Sequence, residues 1–241
     1  MPTIKEKKDQ ANHKRINEIF FAPLERPALA WLATHLPAWV TPDLLTAFGF
    51  AASVLIGLSY WLTNISRNYL WLASLGFVLN WFGDSLDGTL ARHRKIERPH
   101  HGFFIDHTID TISEVIIFLG LGLSPYVDYR LVSLALIGYL CMTNLAYINT
   151  IVQGVFRISY GKLGPTEARV IAIGANTIIY FMGNKEVHLP IFGTMTMYSA
   201  IVLGVVFLLF GIFFYTMISQ GIELSTQDTQ ERTRKKSTGK N

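Results

Sequence analysis

Cysteine is almost absent from this chain of 241 residues, which contains only Cys141. A single cysteine excludes an intrachain disulfide, and because Cys141 lies in an apolar run we expect a packed, unreactive thiol. Residues 1–15 are polar and lack a short apolar core with a small-residue cleavage site, so we expect no secretory signal peptide there. The sequence also lacks an internal repeat and a matched pair of interrupted hydrophobic segments, which are common in transporters.

Hydrophobic residues make up 50% of the chain, and they are gathered into long runs. Such runs predict a single all-helical membrane domain. The net charge of +4 and the isoelectric point near 9.1 are compatible with nucleic-acid binding. The basic residues, however, lie in polar segments between and beyond the apolar runs, where they set membrane topology and contact anionic headgroups. We therefore expect membrane lipids, and no nucleic acid, among the partners.

The apolar runs predict an all-α integral membrane fold with six transmembrane helices preceded by an amphipathic cytoplasmic surface helix. In the surface segment, 16–36, Pro23 and Pro27 are expected to interrupt the helix, and Trp31 and Trp39 to lie near the headgroups; a plain linker is the alternative. The predicted spans are roughly 44–63, 69–91, 102–123, 130–154, 166–183 and 194–219.

Three regions follow from this division of the chain. Residues 1–43 form a basic N-terminus with the surface helix, and residues 44–219 form the six-helix membrane domain. Residues 220–241 form a polar, basic cytoplasmic tail that we expect to be disordered.

Lysine and arginine are distributed unevenly over the predicted loops. If both termini are cytoplasmic, the cytoplasmic segments contain 18 of these residues and the opposite loops contain three, Arg67, Arg130 and Lys185. Because positive residues are retained on the cytoplasmic side, this bias predicts a multi-pass protein with both termini in the cytoplasm. The same orientation places the polar cluster described next toward the cytoplasm.

Four aspartates interrupt the second and third apolar runs. Asp84 and Asp87 are three residues apart, and Asp106 and Asp110 are four apart, so each pair shares one face of a helix. Each carboxylate at membrane depth costs about 2.5–3.5 kcal/mol, and the four would repel one another, so the cluster needs a compensating cation. Oxygen ligands without a nearby cysteine favour Mg²⁺ or Mn²⁺, and such carboxylates can hold two ions for phosphoryl transfer.

Small and basic residues accompany the aspartates. Gly88 and Ala91 lie on or near the face of Asp84, where their size lets a ligand or another helix approach the backbone closely. Arg92 follows directly and is a suitable partner for a phosphate group. The cluster therefore combines metal-binding, close-approach and anion-binding residues.

The spacing D-x2-D-G-x2-A-R-x9-G-x3-D-x3-D, from Asp84 to Asp110 with Gly102 as its second glycine, resembles the signature of the CDP-alcohol phosphotransferase family. All eight fixed positions are met within 27 residues of the chain. A TP-x-x-x-T sequence at the start of the first span, from Thr41 to Thr46, is also similar to this family.

The resemblance implies that a homodimeric enzyme transfers a substituted phosphate from a CDP-linked donor to an alcohol and releases CMP. It implies that Asp84, Asp87 and Asp106 are metal ligands, and that Asp110 completes the metal site and acts as the general base. For Asp43, a helix cap is the alternative role. The implied donor-binding residues are Gly88, Ala91, Arg92, Gly102 and Asp43.

Two further features resemble the choline and ethanolamine phosphotransferase branch of that family. They are the sequence GPTE, which ends at Glu167, and the histidine after the third aspartate, His107. An alanine follows GPTE here, where the branch commonly has glycine. The resemblance makes Glu167, Arg169 and His107 candidates for contacts to the acceptor or behind the metal ligands. The alternative is a plain helix start, with Thr166 as the cap and Glu167 stabilised by the helix dipole.

Two substrate arrangements and one other function are open at this point. The donor is either CDP-diacylglycerol, with a polar alcohol as acceptor, or a CDP-aminoalcohol, with diacylglycerol as acceptor. The branch features favour the second arrangement, whereas the short chain counts against it. An intramembrane metal-ion or proton carrier is the alternative function, because clustered aspartates also line ion pathways, but a carrier does not explain the fixed glycine, alanine and arginine positions.

Overall fold

The computed structural model of the protein describes residues 14–16, 20–153, 155–157 and 164–237, which are mostly helical. Two short strand pairs accompany the helices: β1 (Lys14–Ile16) is parallel to β2 (Val155–Arg157), and β3 (Glu186–Leu189) is antiparallel to β4 (Gly193–Thr196). The basic residues within 1–13 and 238–241, and the loop residues 158–163, lie outside the described residues. The helices are α1 (Ala22–His35), α2 (Pro42–Leu62), α3 (Tyr69–Arg94), α4 (Pro99–Gly122), α5 (Tyr129–Gln153), α6 (Pro165–Met182) and α7 (Met197–Ser237).

Helices α2 to α6 begin and end within three residues of their predicted bounds. Within the part of the chain that the structure describes, three helical segments are long and apolar enough to cross a membrane, namely α2, α5 and residues Met197–Arg234 of α7. Charged side chains lower the hydropathy of α3, α4 and α6, and these are the helices that carry most of the predicted site residues. The crossing of the membrane by all six helices stays a prediction.

The predicted surface segment contains one continuous helix, α1, which Pro27 does not interrupt. Pro23 lies in the first turn, where its missing N–H group has no helical partner to lose. Pro27 removes one backbone hydrogen bond, and burial of Leu29 and Ala33 in a cluster with α3 side chains offsets that loss. The expectation that both prolines interrupt the helix is therefore wrong for Pro27.

The last predicted span differs from the structure at both ends. Its expected start at residue 194 falls in β4, because Gly193 adopts a φ of +75° and closes a hairpin before the helix begins. At the other end, α7 continues to Ser237 through the segment that was expected to be disordered. This segment is rich in good helix formers, and Gln227 donates a hydrogen bond of 3.3 Å to Glu223 one turn earlier.

Glycine contacts bring both α3 and α4 directly against α2. A Cβ atom on Gly83 of α3 would lie 2.6 Å from the backbone nitrogen of Gly49 on α2. A Cβ atom on Gly120 of α4 would lie 2.5 Å from the Cα atom of Gly57, also on α2. Because these residues have no side chain, the helix backbones can touch. Helix α2 thereby fixes the positions of the two helices that carry the aspartates.

Candidate active site

A cavity of about 920 Å³ extends between α3 and α7, with side chains of α1 at one end. The four aspartates line this cavity where the C-terminal half of α3 faces the N-terminal half of α4. The lining is apolar at the end of α4, at Ile117, Phe118 and Leu121, and mostly apolar along α7. Its volume lies in the range of ligand-binding pockets, and it offers one polar and one apolar region.

Asp84 is paired with a positive charge from α6. The Nη2 atom of Arg169 lies 2.5 Å from Oδ2 of Asp84, and Nε of the same guanidinium donates to Oδ1 of Asn80 over 2.8 Å. The amide nitrogen of Asn80 in turn donates to the carbonyl oxygen of Gly49 and to Oγ of Ser53, at 3.0 and 2.9 Å. These contacts orient Arg169 and provide one compensating cation for the carboxylate cluster.

Asp87 is buried, with 9% of its surface exposed, and is held by α2 and by its own backbone. The hydroxyl of Thr46 donates a hydrogen bond of 2.6 Å to Oδ2 of Asp87, and the N–H group of Gly88 donates to Oδ1. Hydrogen bonds to an ionised carboxylate are stronger than those between neutral groups. This carboxylate is therefore fixed in position before a ligand binds.

Asp106, His107 and Asp110 form a compact group on α4. Each residue offers one ligand atom, and these three atoms lie within 4.8 Å of one another. The Nδ1 atom of His107 is 3.7 Å from Oδ2 of Asp106 and 3.9 Å from Oδ2 of Asp110. Asp84 of α3 lines the same small pocket as Asp106 and Asp110 of α4, so the aspartates of the two helices form one cluster.

This donor set fits a hard divalent cation. Carboxylate oxygens predominate, one imidazole nitrogen is available, and the single cysteine of the chain does not line the cavity. Mg²⁺ and Mn²⁺ prefer such oxygen-rich sites, and Mn²⁺ also accepts imidazole. Among the described residues, Asp106, His107 and Asp110 form a group whose ligand atoms already converge.

The structure divides the predicted donor-binding residues into two sets. Gly88 and Arg92 line the cavity. Ala91 and Gly102 lie outside its lining, and a Cβ atom on Gly102 would meet no described atom within 4 Å. Asp43 is exposed and forms an ion pair with Arg98 at the surface. Asp43 does not cap its helix, because the cap is Thr41, whose side-chain hydroxyl accepts a hydrogen bond from the backbone N–H group of Leu44.

Glu167 lies outside the cavity lining and is 5% exposed. Its Oε1 atom accepts a hydrogen bond of 3.1 Å from the N–H group of Phe21, and Oε2 accepts one of 2.9 Å from Gly164. The carboxylate therefore satisfies backbone donors at the starts of α1 and α6. Thr166, expected as the cap, instead donates to Glu25 of α1 at 3.1 Å, and Gly164 takes the cap position.

Three residues of the site were not singled out from the sequence: Thr46, Asn80 and Glu25. Thr46 is the last residue of the TP-x-x-x-T sequence, so its signal was present. Asn80 precedes Asp84 by four residues and shares its helix face, a spacing that indicates a shared environment. Glu25 lines the cavity and accepts a hydrogen bond of 3.1 Å from the indole of Trp81, and no local pattern marks it.

Comparison with known proteins places this geometry in context. Residues 39–217 match the family model described as CDP-alcohol phosphatidyltransferase. Cholinephosphotransferase 1 of Gallus gallus is 28% identical over 197 residues, which cover 75% of this chain and 57% of that protein. Archaetidylinositol phosphate synthase of Pyrococcus horikoshii is 33% identical over 123 residues, covering 48% of this chain and 62% of the relative. The chain thus spans less than two thirds of the length of these relatives.

Proposed function

The chain belongs to the CDP-alcohol phosphatidyltransferase family, and from this premise we propose that it is a phospholipid-synthesis enzyme. The reaction transfers a substituted phosphate group from a CDP-linked donor to an alcohol and releases CMP. The observation that supports this most directly is the complete aspartate motif, whose four carboxylates line one cavity. An intramembrane ion carrier would need the carboxylates but not their fixed spacing to Gly88 and Arg92.

Each aspartate has a proposed role. Asp84, Asp87, Asp106 and Asp110 hold Mg²⁺ or Mn²⁺, with two ions in the site, and His107 is placed to assist. The bound ions would neutralise the diphosphate and polarise the phosphorus atom that is attacked. Among Asp84, Asp106 and Asp110, the side chain of Asp110 is the most exposed, at 41%, which suits contact with an acceptor.

The protein residues then act on the acceptor and the donor. Asp110 takes the proton of the acceptor hydroxyl, whose oxygen forms a bond to the β-phosphorus of the donor. The bond from that phosphorus to the bridging oxygen breaks, and CMP leaves with the electron pair. His107, 3.9 Å from Asp110, orients this carboxylate, and Arg92 at the cavity mouth binds the donor phosphates. Asp110→Asn should abolish turnover while metal binding persists.

We propose a CDP-aminoalcohol as donor and a lipid alcohol such as diacylglycerol as acceptor. The support is the GPTE and His107 features, the similarity to cholinephosphotransferase 1, and the apolar part of the cavity, which suits acyl chains. The similarity to an archaetidylinositol phosphate synthase favours the other arrangement, a CDP-linked lipid donor with a polar acceptor. Ala91, Gly102 and Asp43 are proposed to support the donor indirectly, from outside the cavity lining.

The proposed setting is a multi-pass membrane protein with six crossings, both termini in the cytoplasm and the site facing the cytoplasm. The charge bias of the loops supports this orientation. Helix α1 would lie on the membrane surface, since Trp31 and Trp39 are 60% and 72% exposed and aromatic residues favour the headgroup region. A homodimer is proposed from the family resemblance.

The test is CMP release by the purified protein in detergent with Mg²⁺. CDP-diacylglycerol, CDP-choline and CDP-ethanolamine are each supplied with candidate acceptors. Release from one donor that is lost in Asp87→Ala and retained in Asp228→Asn, an exposed residue of α7, would establish the reaction and its branch. Absence of release from all pairs, with metal still bound, would reject the proposed reaction and favour the ion carrier.

A further inference from the structure

Helix α4 carries a further acidic residue in the cavity, Glu114, which the sequence motif does not include. It follows Asp110 by four residues, so it lies one helical turn, about 6 Å, farther along α4. Both Glu114 and Tyr139 of α5 line the cavity, and their side chains are hydrogen-bonded to each other. The carboxyl group thus has a defined position between the aspartates and the apolar end of the cavity.

The Oε2 atom of Glu114 is buried and has no hydrogen-bond partner among the described residues. Folded proteins pair nearly all of their buried polar atoms, because an unpaired one loses its contact with water and gains nothing in return. Since Glu114 lines the cavity, a molecule bound there is able to supply the partner. The hydrogen bond with Tyr139 restricts rotation of the carboxyl group and so fixes the position of Oε2.

The surroundings of Glu114 favour its neutral form. An ionised carboxylate that is buried beside apolar groups is strongly disfavoured unless a cation pairs with it. The guanidinium of Arg169 is paired with Asp84, and Asp110, one turn away on the same helix, repels a second negative charge. A neutral carboxyl group carries one O–H donor, and buried carboxylic acids use this donor to bind a ligand oxygen. The partner that Oε2 calls for is therefore a hydrogen-bond acceptor.

The spacing between Asp110 and Glu114 matches the glycerol backbone of diacylglycerol. The reacting hydroxyl oxygen and the carbonyl oxygen of the ester at position 2 lie five bonds apart, about 6 Å at full extension, because an extended chain advances roughly 3.5 Å for every three bonds. This span equals the rise of about 6 Å from Asp110 to Glu114. With the hydroxyl at Asp110 and this carbonyl at Glu114, the acyl chains continue along the apolar residues that follow on α4, which are Ile117, Phe118 and Leu121.

Resting on the proposed function, we infer that Glu114 is a specificity-determining residue that recognises the ester linkage of the lipid acceptor. Its neutral carboxyl group donates a hydrogen bond from Oε2 to the ester carbonyl at position 2 of diacylglycerol. Tyr139 positions the carboxyl group for this contact. A dialkyl ether lipid has no carbonyl at that position, so it leaves the buried donor unpaired and is the poorer acceptor.

Two matched lipids test the inference. 1,2-Dioleoylglycerol and 1,2-di-O-oleylglycerol have the same chains and the same primary hydroxyl, and they differ in the ester carbonyls. With the wild-type protein, kcat/KM for CMP release should be about tenfold higher for the diester, the effect of pairing one buried donor. In Glu114→Met, which lacks a donor, the ratio should fall to near one. Glu114→Gln keeps an N–H donor and should keep most of the ratio, and Glu223→Gln, on the exposed part of α7, should keep all of it.

Two mixed lipids locate the contact. The lipid with an ether at position 1 and an ester at position 2 should be used as well as the diester, whereas the lipid with these linkages exchanged should resemble the diether. The reverse order would overturn the assignment to position 2. Tyr139→Phe removes the hydroxyl that restrains the carboxyl group, so its ester-to-ether ratio should lie between those of wild type and Glu114→Met. A wild-type ratio in Tyr139→Phe would exclude the positioning role of Tyr139.

Several results would overturn the inference. Equal use of the diester and the diether by the wild-type protein, or a preference that survives in Glu114→Met, would exclude recognition of the ester by Glu114. A ratio near one in Glu114→Gln would exclude donation to the carbonyl, because the amide keeps a donor at this position. A drop in kcat of equal size on both lipids, with the ratio unchanged, would instead indicate a role of Glu114 in proton transfer or folding.

A binding measurement separates this inference from the proposed reaction. The shift in melting temperature on adding the diester or the diether is recorded without any CDP donor. Greater stabilisation by the diester, lost in Glu114→Met and kept in Glu114→Gln, would support the lipid contact, and equal stabilisation by both lipids would contradict it. CMP release from none of the donor and acceptor pairs would reject the proposed reaction, and the thermal shift would still decide whether Glu114 binds the ester.

Discussion

Replacing Gly83 with alanine places a methyl group where the backbone of α2 already lies. The added Cβ atom would be 2.6 Å from the nitrogen of Gly49 and 2.7 Å from the carbonyl oxygen of Leu45, whereas ordinary contacts begin near 3.4 Å. Backbone atoms cannot rotate aside as a flexible side chain can, so α3 must move away from α2 by about 0.8 Å in this tightly packed region.

Both stability and turnover should respond to this shift. Overpacking of this kind costs about 1–3 kcal/mol, and the better helix propensity of alanine returns at most about 1 kcal/mol. Asp84 follows Gly83 directly, so its carboxylate moves with the backbone and changes its distance to Arg169 and Asp110. A displacement near 1 Å costs roughly 10²-fold in rate. We therefore expect Gly83→Ala to lower CMP release by about 10- to 100-fold and the melting temperature by a few degrees.

A graded series of alanine variants provides the comparison. In Gly49→Ala the added Cβ atom would lie 3.2 Å from the nitrogen of Asp84, so a shift of only a few tenths of an ångström and a smaller loss are expected. In Gly204→Ala it would meet no described atom within 4 Å, and wild-type turnover is expected. Wild-type turnover in Gly83→Ala, or an equal loss in Gly204→Ala, would refute the link between this helix contact and the site.

Three other substitutions test individual contacts. Arg169→Met should reduce CMP release by at least 100-fold, because Asp84 loses its partner within the carboxylate cluster. Arg169→Lys should restore CMP release only in part, because an ammonium lacks the planar fork that binds two acceptors. Wild-type activity in both variants would contradict this role of Arg169. Glu167→Gln should lower the melting temperature by several degrees, because one backbone N–H group loses its acceptor. The kcat/KM of the folded protein should nevertheless stay within about threefold of wild type. A loss of kcat without a loss of stability would instead indicate that Glu167 takes part in the reaction. Thr46→Val should lower turnover about tenfold through the lost hydrogen bond to a carboxylate, and Thr46→Ser, which keeps the hydroxyl, is the matched control and should be close to wild type.

The sequence by itself determined the helical framework and the identity of the aspartate cluster. Each of the helices α2 to α6 contains an apolar run that is bounded by polar or turn-forming residues, and such a local pattern can be read without knowing the fold. The cost of carboxylates in an apolar run marks Asp84, Asp87, Asp106 and Asp110 as a site, whatever their partners. The helix-breaking tendency of proline predicted an interruption at Pro27, but Pro27 lies inside the continuous helix α1 because tertiary packing outweighs that tendency.

Only the tertiary structure decided which residues the aspartates contact. Arg169 reaches Asp84 across 85 residues of sequence, and Thr46 reaches Asp87 across 41; such pairs depend on how the helices pack and leave no periodic signal in the chain. The same holds for Glu167, whose carboxylate bonds to the backbone of Phe21, 146 residues away, and so lies outside the cavity. Periodicity and burial cost act within one helix, whereas the partner of each polar side chain is set by how separate helices pack; the glycine contacts of α2 with α3 and α4 are one such determinant.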